Sequence, residues 1–125
     1  MNKFGIIIIV ATVLILGGGA YLLAKPAKPI DIPQGEANVY EYFWGNGCPH
    51  CEVVQDFLDS WDKKDTINLK KYEVWYDKTN AKIMEARYNS CSKKPQGQMS
   101  VPFLITPKGE CLVGDEPIIE LFKSL

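Results

Sequence analysis

Two cysteines separated by two residues, Cys48 and Cys51, enclose Pro49 and His50 in the segment FWGNGCPHCEVV. His50 is the single histidine among the 125 residues of the chain. Such a cysteine pair can exchange electrons as dithiol and disulfide, bind a metal or cross-link the fold. A structural zinc site usually needs four ligands in two close pairs, whereas the other two cysteines lie twenty residues apart. The spacing therefore favours redox chemistry over a metal site or a purely structural cross-link.

The cysteine pair lies between a predicted strand and a predicted helix. Residues 38–44, NVYEYFW, are rich in β-branched and aromatic side chains, and apolar residues recur at helical spacing from Val53 to Trp61. Cys48 therefore falls at the start of a helix, where unpaired backbone N–H groups and the helix dipole stabilise a thiolate. We expect Cys48 to be exposed and nucleophilic. We expect Cys51, on the core-facing stripe, to be more buried and to resolve a mixed disulfide.

The two residues between the cysteines are expected to tune this chemistry. As a cation or N–H donor near Cys48, His50 would stabilise the thiolate, and a more stable reduced form makes the disulfide a stronger oxidant. Pro49 fixes a backbone dihedral in the turn and removes a competing N–H group.

The rest of the chain alternates strand and helix signals. After the first strand and helix, the pattern predicts a strand (LKKYEVWYD), a helix (NAKIMEARYN), a strand (VPFLIT), a turn (PKGE) and a strand (CLV). The last predicted element is a helix capped by Asp115 (DEPIIELFKSL). Two strands joined by a helix should be parallel, and the last two should form a hairpin. The order β-α-β-α-β-β-α predicts an α/β fold, a mixed four-stranded sheet with helices on both faces.

An apolar run precedes this domain. Residues 5–24 carry no charge and would span roughly 30 Å as a helix, the hydrocarbon thickness of a bilayer. Because signal-peptide apolar regions are shorter, about 7–15 residues, we expect an uncleaved anchor, with secretion after signal cleavage as the alternative. Residues 25–37 contain three prolines and predict an extended linker. The predicted domains are a transmembrane anchor, 1–24, a linker, 25–37, and a soluble domain, 38–125.

Residues 38–125 resemble the thioredoxin superfamily, and CPHC resembles the motif of DsbA-type disulfide oxidases. SVPFL resembles the superfamily's cis-proline loop, which implies a cis Val101–Pro102 bond and contact of Val101 with substrate. The resemblance also implies that Glu41 is a buried acid that moves protons to or from Cys51; a solvated glutamate near a sheet edge is the alternative. SVP and VGD are similar to glutathione-holding segments of glutaredoxins, but the usual double glycine is absent, as is the large helical insertion of DsbA.

The remaining cysteines bear on the cellular compartment. In an oxidising compartment, Cys91 and Cys111 would form a structural disulfide; free thiols or a second exchanging pair are the alternatives. An anchored dithiol domain with such a disulfide belongs outside the cytoplasm. We therefore predict a single-pass protein of the cell membrane with its N-terminus inside and its domain on the extracytoplasmic side.

The function predicted from the sequence is that of an enzyme, a membrane-anchored thiol–disulfide oxidoreductase that oxidises or exchanges disulfides in protein substrates. No bound cofactor is needed, because the cysteine pair is itself the redox centre. Expected partners are cysteine-containing proteins, a redox partner protein and the membrane. Nucleic acid is not expected, since the net charge is -1 and charges of both signs are interspersed. The alternatives are an extracytoplasmic thiol reductant and a Cu(I) chaperone using the two cysteines.

Overall fold

The structure, a computed structural model, describes residues 2–23 and 35–125. The chain divides into two compact units, residues 1–30 and 31–125. Most of the predicted linker, 25–37, lies outside the described residues, so the predicted boundaries of anchor, linker and domain stay predictions.

The first unit contains one helix, α1 (Lys3–Leu23). Its segment Lys3–Tyr21 has a mean hydropathy of 2.3, and none of it is buried within the chain. In the described part of the chain, α1 is the one helix long and apolar enough to cross a membrane. A signal sequence near an N-terminus can also form a helix that passes this test of length and hydropathy, so α1 fits either a membrane anchor or a signal peptide.

The second unit contains the predicted elements in the predicted order. They are β1 (Tyr40–Trp44), α2 (Pro49–Ser60), β2 (Leu69–Glu73), α3 (Lys78–Asn89), β3 (Phe103–Ile105), β4 (Cys111–Val113) and α4 (Asp115–Ser124), with a short 3₁₀ turn at Lys64–Thr66. The strands form one sheet in the order β2-β1-β3-β4. β1 is parallel to β2 and antiparallel to β3, and β3 and β4 form the antiparallel hairpin. The predicted α/β fold is confirmed.

The sheet buries an apolar cluster on each face. On one face, Tyr42 of β1 and Leu104 of β3 pack with side chains of α2 and α4, namely Val54, Leu58, Trp61, Ile118 and Phe122. On the other face, Phe43 packs with side chains from α3, β3 and β4, including Ile83, Met84, Phe103, Ile105 and Cys111. Because successive side chains on a strand point to opposite faces, Tyr42 faces α2, whereas Glu41 and Phe43 face α3.

Two elements differ in extent from their predictions. β2 ends at Glu73, four residues before the end of the predicted segment, because the Glu73 carboxylate binds backbone N–H groups of the following turn. The cap of α4 is Gly114 rather than Asp115, so the predicted cap was wrong by one residue. Gly114 has a φ of 98°, which a residue with a side chain rarely adopts, and this turn lets Asp115 begin the helix.

Candidate active site

The two cysteines of the CPHC motif form a disulfide at the N-terminus of α2. Cys48 is the cap residue, with an extended backbone, and its Sγ accepts a hydrogen bond from the Cys51 N–H at 3.2 Å. Pro49 is the first helical residue, a position where its missing N–H would have no partner in the helix. The start of α2 therefore directs its positive dipole end and a backbone donor at the sulfur of Cys48.

Both cysteines are buried in this disulfide-bonded form. Cys48 is 5% exposed and Cys51 is 3% exposed. The expectation that Cys51 lies on the core-facing side of α2 agrees with this burial. The expectation that Cys48 is exposed was wrong, because the cap position and the disulfide hold the residue against the domain. A groove of about 220 Å³ opens beside Cys51, between the residues at the end of β1 and those of α2.

The loop before Cys48 is fixed by the turn that follows β2. A carboxylate oxygen of Glu73 accepts a hydrogen bond from the backbone N–H of Asn46 at 3.3 Å. The same carboxylate accepts three further N–H bonds at 2.9–3.1 Å, from Trp75, Tyr76 and Asp77.

The Trp75 indole also lies so close over Gly45 that a Cβ at position 45 would overlap it. The close approach of Trp75 therefore favours a glycine at position 45.

Tyr42 lies directly beneath the second cysteine. Its hydroxyl donates a hydrogen bond to the Cys51 carbonyl oxygen at 3.4 Å, and the side chain is fully buried. Burial, and then the negative charge of Asp115, raise the pKa of Tyr42. Tyr42 therefore stays protonated and can donate to the Cys51 backbone. The sequence pattern did not single out Tyr42, because it does not show which face of the sheet α2 covers.

Glu41 is not brought to the cysteine pair. Its carboxylate accepts hydrogen bonds from Nε of Arg87 and, at 3.2 Å, from Nη2 of Arg87 on α3. Tyr72 donates a third bond at 3.4 Å. Glu41 is buried, as the resemblance implied, but it faces α3 while Cys51 lies on α2, across the sheet. The predicted proton relay through Glu41 is therefore corrected to a structural ion pair.

His50 binds a residue far along the sequence. Its Nδ1 lies 3.1 Å from Oδ2 of Asp115, the first residue of α4. The hydrogen bond from His50, opposed by some desolvation, lowers the pKa of Asp115. The hydrogen bond described for the Cys48 sulfur comes from the Cys51 N–H instead. Sequence spacing could not have revealed Asp115, because 65 residues separate it from His50.

The segment before β3 lies at the same edge of the sheet as the cysteine loop. The Val101–Pro102 peptide bond is cis, and Pro102 is fully buried. Phe103 is opposite Phe43 in the antiparallel register, so Pro102 lies at the end of β1 from which the chain continues to Cys48. The Pro102 carbonyl accepts a hydrogen bond from the Gly114 N–H at 2.9 Å, which joins this segment to the start of α4.

The other two cysteines form a second disulfide. Cys91, after α3, is bonded to Cys111 on β4, with their Cα atoms 5.7 Å apart. Cys111 is buried and Cys91 is partly buried. Within residues 2–23 and 35–125, no group of three or more His, Cys, Asp or Glu side chains is placed to hold a metal ion.

The comparisons with known proteins point to one class of chemistry. A segment of 52 residues is 35% identical to the thiol:disulfide interchange protein DsbA of Burkholderia cepacia. The segment is 42% of this chain and 24% of that protein, so the match spans about a quarter of the relative. No family model matches the chain, and no solved structure matches it significantly.

Proposed function

We propose that the chain is a thiol–disulfide oxidoreductase of the thioredoxin superfamily that exchanges its Cys48–Cys51 disulfide with cysteines of protein substrates. The observation that carries this proposal is the position of Cys48. It caps α2, and its sulfur accepts a hydrogen bond from the Cys51 N–H at 3.2 Å. A cysteine held in this way is stabilised as a thiolate and is therefore a good leaving group.

The oxidative reaction proceeds in two exchange steps. A substrate thiolate attacks Sγ of Cys48, the Cys48–Cys51 bond breaks, and Cys51 leaves as a thiolate that takes a proton from solvent. A second substrate thiolate then attacks the substrate sulfur of the mixed disulfide. Cys48 departs with the electron pair of that bond, and the substrate gains a disulfide. Two electrons have passed from the substrate to the cysteine pair.

The surroundings of the pair give the other predicted site residues their proposed roles. Pro49 starts α2 in the geometry that makes Cys48 its cap. The backbone of Val101, before the cis Pro102, is proposed to pair with the substrate segment that carries the attacked cysteine. His50 is proposed to tune the stability of the Cys48 thiolate. The reduced pair then passes the two electrons on to a redox partner protein, and the Cys48–Cys51 disulfide is regenerated.

The proposal can be tested by trapping the mixed disulfide. In the full chain, Cys51→Ser removes the resolving thiol. The Cys48 thiolate should then attack the disulfide of a disulfide-linked peptide dimer, release one peptide as a thiolate and keep the other as a covalent adduct that dithiothreitol reverses. Cys48→Ser should form no adduct at that position and should lose exchange activity. The matched control is Cys91→Ala/Cys111→Ala, which removes the other disulfide and should keep exchange activity. Loss of activity in this control, with activity retained in Cys48→Ser, would contradict the assignment of the reacting pair.

We propose further that α1 is an uncleaved single-pass anchor and that the domain lies on the extracytoplasmic side of the cell membrane. The support is the length and hydropathy of α1 together with two disulfides in the domain, since disulfides persist in oxidising compartments.

A further inference from the structure

The ion pair between His50 and Asp115 joins two helices at the candidate active site. His50 belongs to the first turn of α2, next to Cys48, and Asp115 begins α4. The Nδ1–Oδ2 distance is 3.1 Å, and the His50 and Asp115 side chains are 72% and 28% exposed. When the imidazole is protonated, this contact is a salt bridge whose positive partner lies two residues from the proposed nucleophile.

The start of α4 is linked to the site by more than the bond between Asp115 and His50. Its neighbour Gly114 donates its N–H to the Pro102 carbonyl at 2.9 Å, so the start of α4 is tied to the cis-proline segment. The negative charge of Asp115 also adds to the effect of burial in raising the pKa of Tyr42, whose hydroxyl donates a hydrogen bond to the Cys51 carbonyl oxygen. A carboxylate at this point can therefore influence the charge balance around both cysteines.

We propose that Asp115 is a positioning residue that holds the His50 imidazole against α4 and offsets its positive charge, which makes the Cys48–Cys51 disulfide less oxidising than His50 alone would make it. This inference rests on the proposed disulfide exchange. A free imidazolium next to Cys48 favours the thiolate, and hence the reduced form. The same imidazolium bonded to a carboxylate is held at a fixed position, and its field is partly cancelled.

The substitution Asp115→Asn tests this directly. Asparagine keeps the size of the side chain and one acceptor oxygen, but it removes the charge that strengthens the bond to His50. The full chain in detergent is equilibrated with glutathione redox buffers of known potential. We expect the equilibrium constant for oxidation of glutathione by the protein to rise about two- to fivefold, the range of an exposed ion pair. That change corresponds to about 10–20 mV.

Three control variants separate this role from a general effect of charge. Glu116→Gln removes a neighbouring exposed carboxylate that has no bond to His50, and it should change the constant less than twofold. Asp115→Glu keeps the carboxylate and should restore most of the wild-type value. In a His50→Gln background, Asp115→Asn should also change the constant less than twofold, because the imidazole through which it acts is absent.

A second readout reports on the imidazole itself. Because His50 is the single histidine, its ring protons give one set of NMR signals. These signals should shift in Asp115→Asn and stay in place in Glu116→Gln. An unchanged or lower equilibrium constant in Asp115→Asn, or an equal rise without His50, would overturn the inference while leaving disulfide exchange intact. Failure of the wild-type protein to equilibrate with glutathione would overturn both proposals.

Discussion

At the residue scale, Glu41 and Arg87 show how two buried charges become part of the fold. Glu41 is 5% exposed and Arg87 is 9% exposed, and two guanidinium nitrogens contact the two carboxylate oxygens. Burying an isolated charge is costly, so removing one partner leaves the other uncompensated. The pair faces α3, away from Cys51, and its contribution is to stability rather than to proton transfer.

We therefore expect Arg87→Met to lower the free energy of unfolding by about 3–5 kcal/mol. Glu41→Met/Arg87→Met should recover most of that loss, because no unpaired charge remains. The measurement is chemical denaturation of the full chain in detergent. The matched control is Lys70→Met, which breaks the exposed pair with Glu36 and should cost about 1 kcal/mol or less. A changed reduction potential in Glu41→Met/Arg87→Met would contradict the purely structural role.

The sequence pointed to the two cysteines of the CPHC disulfide but not to all of their neighbours. Cys48, Cys51 and Pro102 could be placed because their motifs are local. Strand alternation places Glu41 with Phe43 on one face. It could not say which helix covers that face, so Tyr42, which faces Cys51, was missed. Asp115 was interpreted as a cap from its local sequence, because contacts made across the fold leave no signal in spacing.

At the element scale, the turn after β2 depends on one carboxylate. Desolvation raises the pKa of Glu73, but backbone hydrogen bonds from Tyr76, Asp77, Trp75 and Asn46 outweigh it, so the pKa is lowered. A carboxyl group with a lowered pKa stabilises the fold above its ordinary pKa of about 4.3, and this contribution is lost as the pH falls through the folded value. The turn and the loop before Cys48 are thus held by an ionised Glu73.

The substitution Glu73→Gln should lower stability by an amount that depends on pH. At about pH 7 the variant should unfold at lower denaturant concentration than wild type, because the charge that accepts the backbone N–H bonds is gone. The difference should shrink as the pH falls from the ordinary glutamate value of about 4.3 toward the lowered pKa of Glu73 in the fold. The control is Glu85→Gln, an exposed glutamate on α3 for which the difference should be small throughout. An equally large difference for Glu73→Gln at about pH 3 would contradict an ionised clamp.

The element order could be predicted because each step follows a general rule. A helix between β1 and β2 requires parallel strands, and the short PKGE turn between β3 and β4 requires a hairpin. The end of β2 could not be predicted, because the apolar and aromatic residues Val74, Trp75 and Tyr76 continue the strand pattern. The Glu73 carboxylate accepts the backbone N–H groups of Trp75, Tyr76 and Asp77, which ends the strand.

At the scale of the whole molecule, the orientation of the proposed anchor α1 would decide on which side of the membrane the cysteine pair lies. Positive residues flank the apolar run on both sides, with Lys3 before it and Lys25 and Lys28 after it, so charge hardly favours either orientation. The orientation proposed here follows from the chemistry of the domain, since a disulfide donor needs a compartment in which disulfides persist.

A C-terminal fusion to a reporter enzyme that needs disulfides should therefore be active and should remain with the membrane fraction. The fusion should also keep the full mass of the chain, as the proposed uncleaved α1 requires. The control is the same reporter fused after residues 1–4, without the apolar run, which should be inactive. An active fusion of reduced mass in the soluble fraction would contradict the anchor, and an inactive membrane-bound fusion would contradict the orientation.

Every role proposed for the site depends on Cys48 and Cys51 forming an exchanging pair that donates its disulfide to proteins. The most direct test is the reduction potential of this pair, measured on the full chain in detergent with glutathione buffers of known potential. With a thiolate stabilised at the start of α2 and the His50 imidazole held by Asp115, we predict a value between about -120 mV, as in DsbA, and about -200 mV. A value near -270 mV, as in thioredoxin, would mean that the protein is a reductant and would contradict the account.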